Sequence, residues 1–260
     1  MLLTSKPAAG GTIFHVHTYR CGHAEPIPDE AYIQEAIRLG ASDIWFTDHA
    51  PFPGDPFGAR MAYAELDEYL ETLTRLRQRY REITVHIGLE TEYFPGFDAA
   101  GYYRELRAIP ELEMLLLGQH MAEISSDPPA YSFSESREFL DANEYRLLGK
   151  ALVQGAASGY FDAIAHPDRI FRRYTGWDAE TEAVSREIIQ AAIRAGLPLE
   201  MNLCSAESPL YHREAFWKLV PDTAARLIGF DAHTLHEMQS RFRGMSHLLK
   251  LLDKDACHLA

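Results

Sequence analysis

Short apolar runs alternate with helical stripes along this chain. The first run lies around Phe14 and Val16, and others follow at 43–47, 84–89, 114–118, 161–165, 197–203 and 226–230. Each is short and rich in Val, Ile, Leu or Phe, which marks a buried strand. Between them the apolar positions recur with helical spacing. Pro28 and Asp29 introduce a helix that Asp29 can cap, with Ile33, Ala36 and Ile37 on one side and Gly40 at its end. Leu66, Tyr69, Leu70, Leu73, Leu76 and Tyr80 make a second stripe, and further helices are expected at 98–107, 137–155 and 179–195. Two amphipathic segments close the chain, and the Ser- and Pro-rich stretch 125–136 reads as an irregular loop. Seven apolar strands separated by helices imply a parallel sheet covered by helices. The expected fold is α/β: a distorted (β/α)7 TIM-like barrel, a single domain over residues 1–260, with 1–11 a flexible N-terminal extension. An open doubly wound sheet is the alternative.

The polar residues that end these runs favour the barrel. His15 and His17, then His49, Glu90, His120, His166, and Asp231 with His233 stand at the C-terminal ends of six different strands. In a barrel those ends meet at one mouth, whereas in an open sheet the outer ones would be too far apart to share a site. His15 and His17, two residues apart on a strand, share one face. His23 follows on a glycine-containing loop and can turn back towards them. The sixth strand carries Glu200 and Asn202, suited to orient ligating imidazoles. Seven histidines and two carboxylates exceed what one divalent ion takes, so more than one ion is expected, with zinc, iron and manganese all compatible. His86, His212, His236, His247 and His258 fall mid-strand, in helices or in loops, and are read as structural or surface residues.

Composition narrows the function. The 260 residues are 47% hydrophobic and carry a formal net charge of -13. That acidity argues against nucleic acid as a partner. It does not exclude a small phosphorylated substrate, because bound cations reverse the local field. Cys21, Cys204 and Cys257 are scattered and odd in number, which gives no disulfide framework and suits a reducing compartment. Neither a secretory signal nor a membrane span is visible, so the expected location is cytoplasmic, with no membrane partner. Cys21, inside the opening histidine loop, can be a metal ligand or simply a small buried thiol.

Taken together, these pieces resemble the PHP family, the polymerase and histidinol phosphatase superfamily. The matching segments are His15-Val16-His17 with His23, Thr47-Asp48-His49, Gly88-Leu89-Glu90, Gly118-Gln119-His120, Ala165-His166-Pro167-Asp168 and Gly229-Phe230-Asp231-Ala232-His233. They run in the family's order over almost the whole chain. The run Gly88 to Gly96 and the Pro-rich loop from His49 to Arg60-Met61 look like the stand-alone histidinol phosphatase branch. The residues around His120 and before Asp231 depart from that branch's commonest form, which bears on the substrate more than on the chemistry.

The resemblance implies three divalent ions. One would be held by His15, His17, Glu90 and Asp231, a second by Glu90, His120 and His166, a third by His23, His49 and His233. It further implies hydrolysis of a small-molecule phosphate monoester, histidinol phosphate to histidinol and phosphate in histidine biosynthesis, by attack of a metal-bound hydroxide. Asp231 and His233 are the candidate catalytic residues beside that hydroxide. Arg60, Arg169 and Arg173 are candidate phosphate contacts, since arginine forks match phosphate oxygens. The alternatives are another PHP phosphoesterase acting on nucleotides or phosphodiesters, and a non-catalytic module held together by its metals. A polymerase-associated proofreading domain is disfavoured by length and acidity.

Overall fold

The parallel strands wrap round until the first meets the last at one end. A computed structural model of the chain describes residues 11–208 and 210–252. The N-terminal extension, apart from Gly11, lies outside the described residues, as do Cys257 and His258. The strands are β1 (Thr12–Val16), β2 (Asp43–His49), β3 (Thr84–Thr91), β4 (Met114–Leu117), a hairpin β5 (Glu123–Ser126) and β6 (Pro129–Tyr131), then β7 (Ala163–Ile164), β8 (Leu199–Asn202) and β9 (Arg226–Gly229). Seven of them form one sheet in the order β1-β2-β3-β4-β7-β8-β9, and every pair in it is parallel. The two edges meet at the C-terminal end. There Val16 bridges Ala232, the His17 amide donates to the Ala232 carbonyl at 2.9 Å, and the Phe230 amide donates to the Phe14 carbonyl at 2.7 Å. The expected barrel is therefore present, nearly closed.

Helices α1 (Asp29–Leu39), α2 (Leu66–Arg79), α3 (Pro95–Ala99), α4 (Tyr102–Arg107), α5 (Arg137–Ser158), α6 (Ala179–Ala195), α7 (Leu203–Ala206), α8 (Glu214–Trp217) and α9 (Leu235–Leu252) follow in order. The longer ones cover the outside of the barrel. Strand residues such as Ile13, Val16, Ile44, Phe46, Val85, Ile87 and Leu89 join the core beneath them. The intervening positions Phe14, Trp45, Met114, Leu116, Ala163, Ala165 and Leu227 make a second cluster, the packed barrel interior. His86 belongs to that interior. It stacks on Trp45 with centroids 3.9 Å apart and is held by Glu113 at 2.7 Å and Asp43 at 3.3 Å. None of the helices among the described residues is long and apolar enough to cross a membrane.

Several expected boundaries move for local reasons. Residues 98–107 are two short helices, not one, because Gly101 adopts φ 91° between them. Pro28, not Asp29, holds the cap position of α1, and Asp29 instead pairs with Arg20 at 2.9 Å. The stretch read as an irregular loop is largely ordered as the β5–β6 hairpin. Tyr131 from it packs on Phe57 and Phe94, with ring centroids 4.7 and 5.3 Å apart. At the C-terminus a single helix, α9, runs to the end of the described residues where two segments were expected.

Candidate metal centre

Glu90 is the hub of the mouth. It lies buried next to Thr91, the final residue of β3, and five imidazoles surround its carboxylate. Oε2 lies 3.4 Å from His15 Nε2, 3.5 Å from His17 Nε2 and 3.0 Å from His49 Nδ1. Oε1 lies 2.8 Å from His166 Nε2 and 3.7 Å from His120 Nε2. Asp231 faces the same space from beyond β9, its Oδ1 3.4 Å from His17 Nε2, 3.9 Å from His15 Nε2 and 3.7 Å from His233 Nδ1. His23 returns over the rim, its ring 4.6 Å from that of His233 and 5.5 Å from that of His49. All nine residues named from the sequence thus converge.

Three of these nine sit in strained backbone. His15 has φ 69°, His166 φ 26° and Asp231 φ 51°, a region non-glycine residues seldom occupy. At His15 the strain is a bulge, where the pairing of β1 with β2 shifts register between Ile13 and Val16. Phe14 and His15 consequently both enter the barrel interior. The two-residue step from His15 to His17 does keep them on one side, with Val16 packed outward, but simple alternation does not describe the strand before it. Two glycines leave room for the carboxylates. A Cβ at Gly118 would lie 2.0 Å from Glu90 Oε1, and one at Gly229 would lie 1.6 Å from Glu200 Oε1.

Partners behind the cluster fix its imidazoles. Glu200 takes His15 Nδ1 at 2.6 Å on Oε1, while its Oε2 accepts from the His166 amide at 2.9 Å and from Asn202 Nδ2 at 3.0 Å. Glu92 takes His120 Nδ1 at 3.2 Å, and the Cys21 carbonyl takes His23 Nδ1 at 2.9 Å. Asp48, fully buried, accepts from the Thr18 amide at 2.7 Å and the Thr18 hydroxyl at 2.8 Å, which ties the loop carrying His17 and His23 to β2. Arg20 locks the same loop through Asp29 and Glu68.

Does this set fit metal ions? His15 Nε2, both ring nitrogens of His17, Glu90 Oε2 and His233 Nε2 are buried without a hydrogen-bond partner. Such orphaned lone pairs are costly unless an ion or water meets them. Burial, with neighbouring imidazoles adding to it, drives the pKa of His17 down to about 3 and that of His233 to about 3. His49 falls to about 4, again chiefly by burial. These rings are therefore neutral at physiological pH, the state that binds metal. For Glu90 and Asp231 burial works towards protonation, but the surrounding histidines, and Arg169 for Asp231, outweigh it and keep both carboxylates ionised. Ligand atoms group within 4.8 Å as His15, His17 and Asp231; His15, Glu90 and His166; His49, Glu90 and His120; His17, His49 and His233; and Cys21, His23 and His233. The donor set fits divalent metal ions, with Glu90 common to two of these groups.

A cleft of about 300 Å³ opens over the cluster, lined by His23, His49, Arg60, His120, Arg169 and Tyr211 among others. Arg169 projects into it and pairs with Asp231 Oδ2 at 2.7 Å. Arg60 lines it but forks onto Glu92 at 2.9 and 3.0 Å. Arg173 does not reach the cleft, because Glu144 at 3.0 Å and Asp141 at 3.7 Å hold it on the outside. Its neighbour Arg172 is at the rim instead, bonded to the His120 carbonyl at 3.0 Å. Sequence reasoning missed Arg172, Tyr211 and the role of Glu92. Tyr211 carried no periodic or motif signal, whereas Arg172 adjoined a residue already singled out.

A (β/α)7 barrel with a clustered histidine and carboxylate mouth defines a metal-binding protein of the polymerase and histidinol phosphatase type. Residues 14–203 match the model of the PHP domain, and the chain belongs to that family. It is 30% identical over 243 residues to the "Probable histidinol-phosphatase" of Deinococcus radiodurans, covering 88% of each chain. A solved structure from Listeria monocytogenes superimposes with a TM-score of 0.72 at 18% identity, covering 91% of this chain and 99% of that one. The histidinol phosphate phosphatase of Lactococcus lactis, solved with zinc, L-histidinol and phosphate, gives 0.67 at 19% identity and covers 94% of both chains. At those identities the two structures show a shared fold.

Proposed function

We propose that the chain is a metal-dependent phosphatase of the cytoplasm that hydrolyses a small phosphate monoester, with histidinol phosphate as its substrate and histidine biosynthesis as its setting. The observation that carries this reading is Glu90, a buried carboxylate within 3.7 Å of five imidazoles, two of which, His49 and His120, line an open cleft. A closed structural site would have no such cleft above it. The 30% identical Deinococcus relative, matched over most of its length, supports the substrate. Three divalent ions held by His15, His17, His23, His49, Glu90, His120, His166, Asp231 and His233 would neutralise phosphate charge and lower the pKa of water.

The chain's own residues supply position and charge. Arg169 has one Nη fixed by Asp231 at 2.7 Å, Asn202 at 3.1 Å and Ser205 at 3.3 Å, and its guanidinium lies 5.1 Å from the Tyr211 ring centre. Its Nε has no partner. Arg169 is thereby held flat and still with donors left over, the preparation a phosphate contact needs. Asp231 and His233, 3.7 Å apart, are held as an ionised carboxylate and a neutral imidazole, so they would stand beside the reacting group as hydrogen-bond acceptors.

The test is phosphate release from histidinol phosphate by protein loaded with manganese or zinc, run beside nucleotides and a phosphodiester. Histidinol phosphate should be turned over with the highest kcat/KM. His17→Ala should lose at least about 100-fold in kcat with its far-UV dichroism intact. Absence of turnover on every phosphomonoester overturns the reading, and a preference for the diester replaces it with a phosphodiesterase.

A further inference from the structure

We propose that Arg60 is a positioning residue that sets His120 through Glu92, and that it is not a phosphate contact. The inference rests on the metal reading given under the proposed function. Arg60 looks like a cleft arginine, yet its fork is already used. Nη1 donates to Glu92 Oε2 at 2.9 Å and to the Ala50 carbonyl at 3.1 Å, while Nη2 donates to Glu92 Oε1 at 3.0 Å. The guanidinium also lies over the rings of Phe52 and Phe57, 5.4 and 5.2 Å from their centres. Its side chain is 5% exposed and that of Glu92 is 1% exposed. Turning Arg60 towards a ligand would strand a buried carboxylate, a costly exchange.

What the pair holds in place is a ring. Glu92 Oε1 takes His120 Nδ1 at 3.2 Å, and the other nitrogen, Nε2, then faces Glu90 Oε1 at 3.7 Å. A carboxylate on the far nitrogen fixes the tautomer and direction of a ligating imidazole and raises its basicity. Arg60 extends that chain by one link and fixes the carboxylate itself. The link also reaches the neighbouring ligand. Arg60 binds the carbonyl of Ala50, which follows His49 directly, and the Ala50 amide donates to the Glu90 carbonyl at 2.8 Å. One guanidinium thus braces both histidines that share Glu90 on this side of the mouth. Arg169 contrasts with it: one Nη carries all of its bonds, whereas Arg60 has both Nη atoms bonded and only Nε, buried, without a partner.

The experiment compares Arg60→Lys, which keeps the charge and loses the fork, with Glu92→Gln. Zinc affinity is read by competition with a chromophoric chelator, and inorganic phosphate is titrated as a competitive inhibitor. Nitrogen NMR of metal-free protein reports the His120 tautomer. Both variants should weaken the binding of one zinc equivalent by about 10–100-fold. Both should lower kcat and leave KM and the phosphate inhibition constant within about threefold. Both should shift His120 from its single Nδ1-H tautomer towards a mixture. The double variant should be no worse than the poorer single one, as expected of residues in one chain of contacts. Wild-type zinc affinity with at least tenfold weaker phosphate inhibition in Arg60→Lys would restore the direct contact and overturn the proposal. A lowered Tm with unchanged zinc affinity and tautomer would reduce the pair to a structural ion pair, which also overturns it. If the wild-type protein bound no zinc, the metal reading would fail separately, and the tautomer measurement would still decide the role of Arg60.

Discussion

Glu90 reaches five imidazoles only because Gly118, on the neighbouring strand end, has no side chain. A Cβ there would stand 2.0 Å from Oε1 and 2.6 Å from Cδ of Glu90, far inside contact distance. Gly118→Ala must therefore push the carboxylate aside. Since a misplacement of about 1 Å can cost 100-fold, kcat should fall by at least about that factor. Bound metal, measured by atomic absorption, should fall with it, and unchanged metal content would contradict the account. At this scale the sequence was legible where identity alone matters. His15, His17, His49, Glu90, His120, His166, Asp231 and His233 could be picked out as donors at strand ends, and His23 on the loop after the first strand. What could not be read is the conformation that aims them. Positive φ at His15, His166 and Asp231 is tolerated better by His and Asp than by most residues, but that preference is too weak to be read from the sequence. Nor could the fork of Arg60 on Glu92 be seen, because the partners lie 32 positions apart.

Elements with their own start and stop signals were found nearly in place. Helix α6 is one: Asp178 accepts from the amides of Glu180 and Thr181 at 3.0 and 2.9 Å, and Gly196 ends the helix at φ 70°. Those backbone donors, with the Tyr174 hydroxyl, lower the pKa of Asp178 in the folded state. A depressed carboxylate pKa contributes stability above its unfolded value, lost as pH falls through the folded one. Asp178→Ala should lower Tm by a few degrees at pH 7, by less near pH 3, and leave metal content unchanged. An equal loss at both pH values would mean that the cap acts without its charge. The β5–β6 hairpin was illegible by contrast. Its strands are three and four residues long, and its order depends on Tyr131 packing against residues far away in sequence.

The whole molecule is built around a deficit of positive charge. Glu90, Glu92, Glu200 and Asp231 are buried at one end of the barrel, against the guanidinium groups of Arg60 and Arg169. Divalent ions bound there would favour the folded chain, which alone assembles the cluster. At a hundredfold excess over Kd, one such ion adds about 2.7 kcal/mol, or a Tm higher by roughly 5–10 °C. Chelation should reverse that gain, and readdition of zinc or manganese should restore it. The metal-free protein should also be acid-sensitive, and the sign follows from the histidines. His17 and His233, with folded pKa values of about 3, and His49, at about 4, are neutral when folded but protonate near pH 6.5 when unfolded. The unfolded state therefore binds more protons as pH falls from about 6.5 towards 4, and folding weakens by about 1.4 kcal/mol per pH unit for each net proton. His15 opposes this, since Glu200, Glu90 and Asp231 overcome its burial and raise its pKa when folded, and so does Asp48, whose burial raises its pKa to about 7. The four depressed rings, His166 included, outnumber these two groups. Urea midpoints of the chelated protein should accordingly drop steadily between pH 7 and pH 5. A flat profile would mean that these imidazoles are not held neutral and buried, and the cluster would lose its claim to be a preformed metal site.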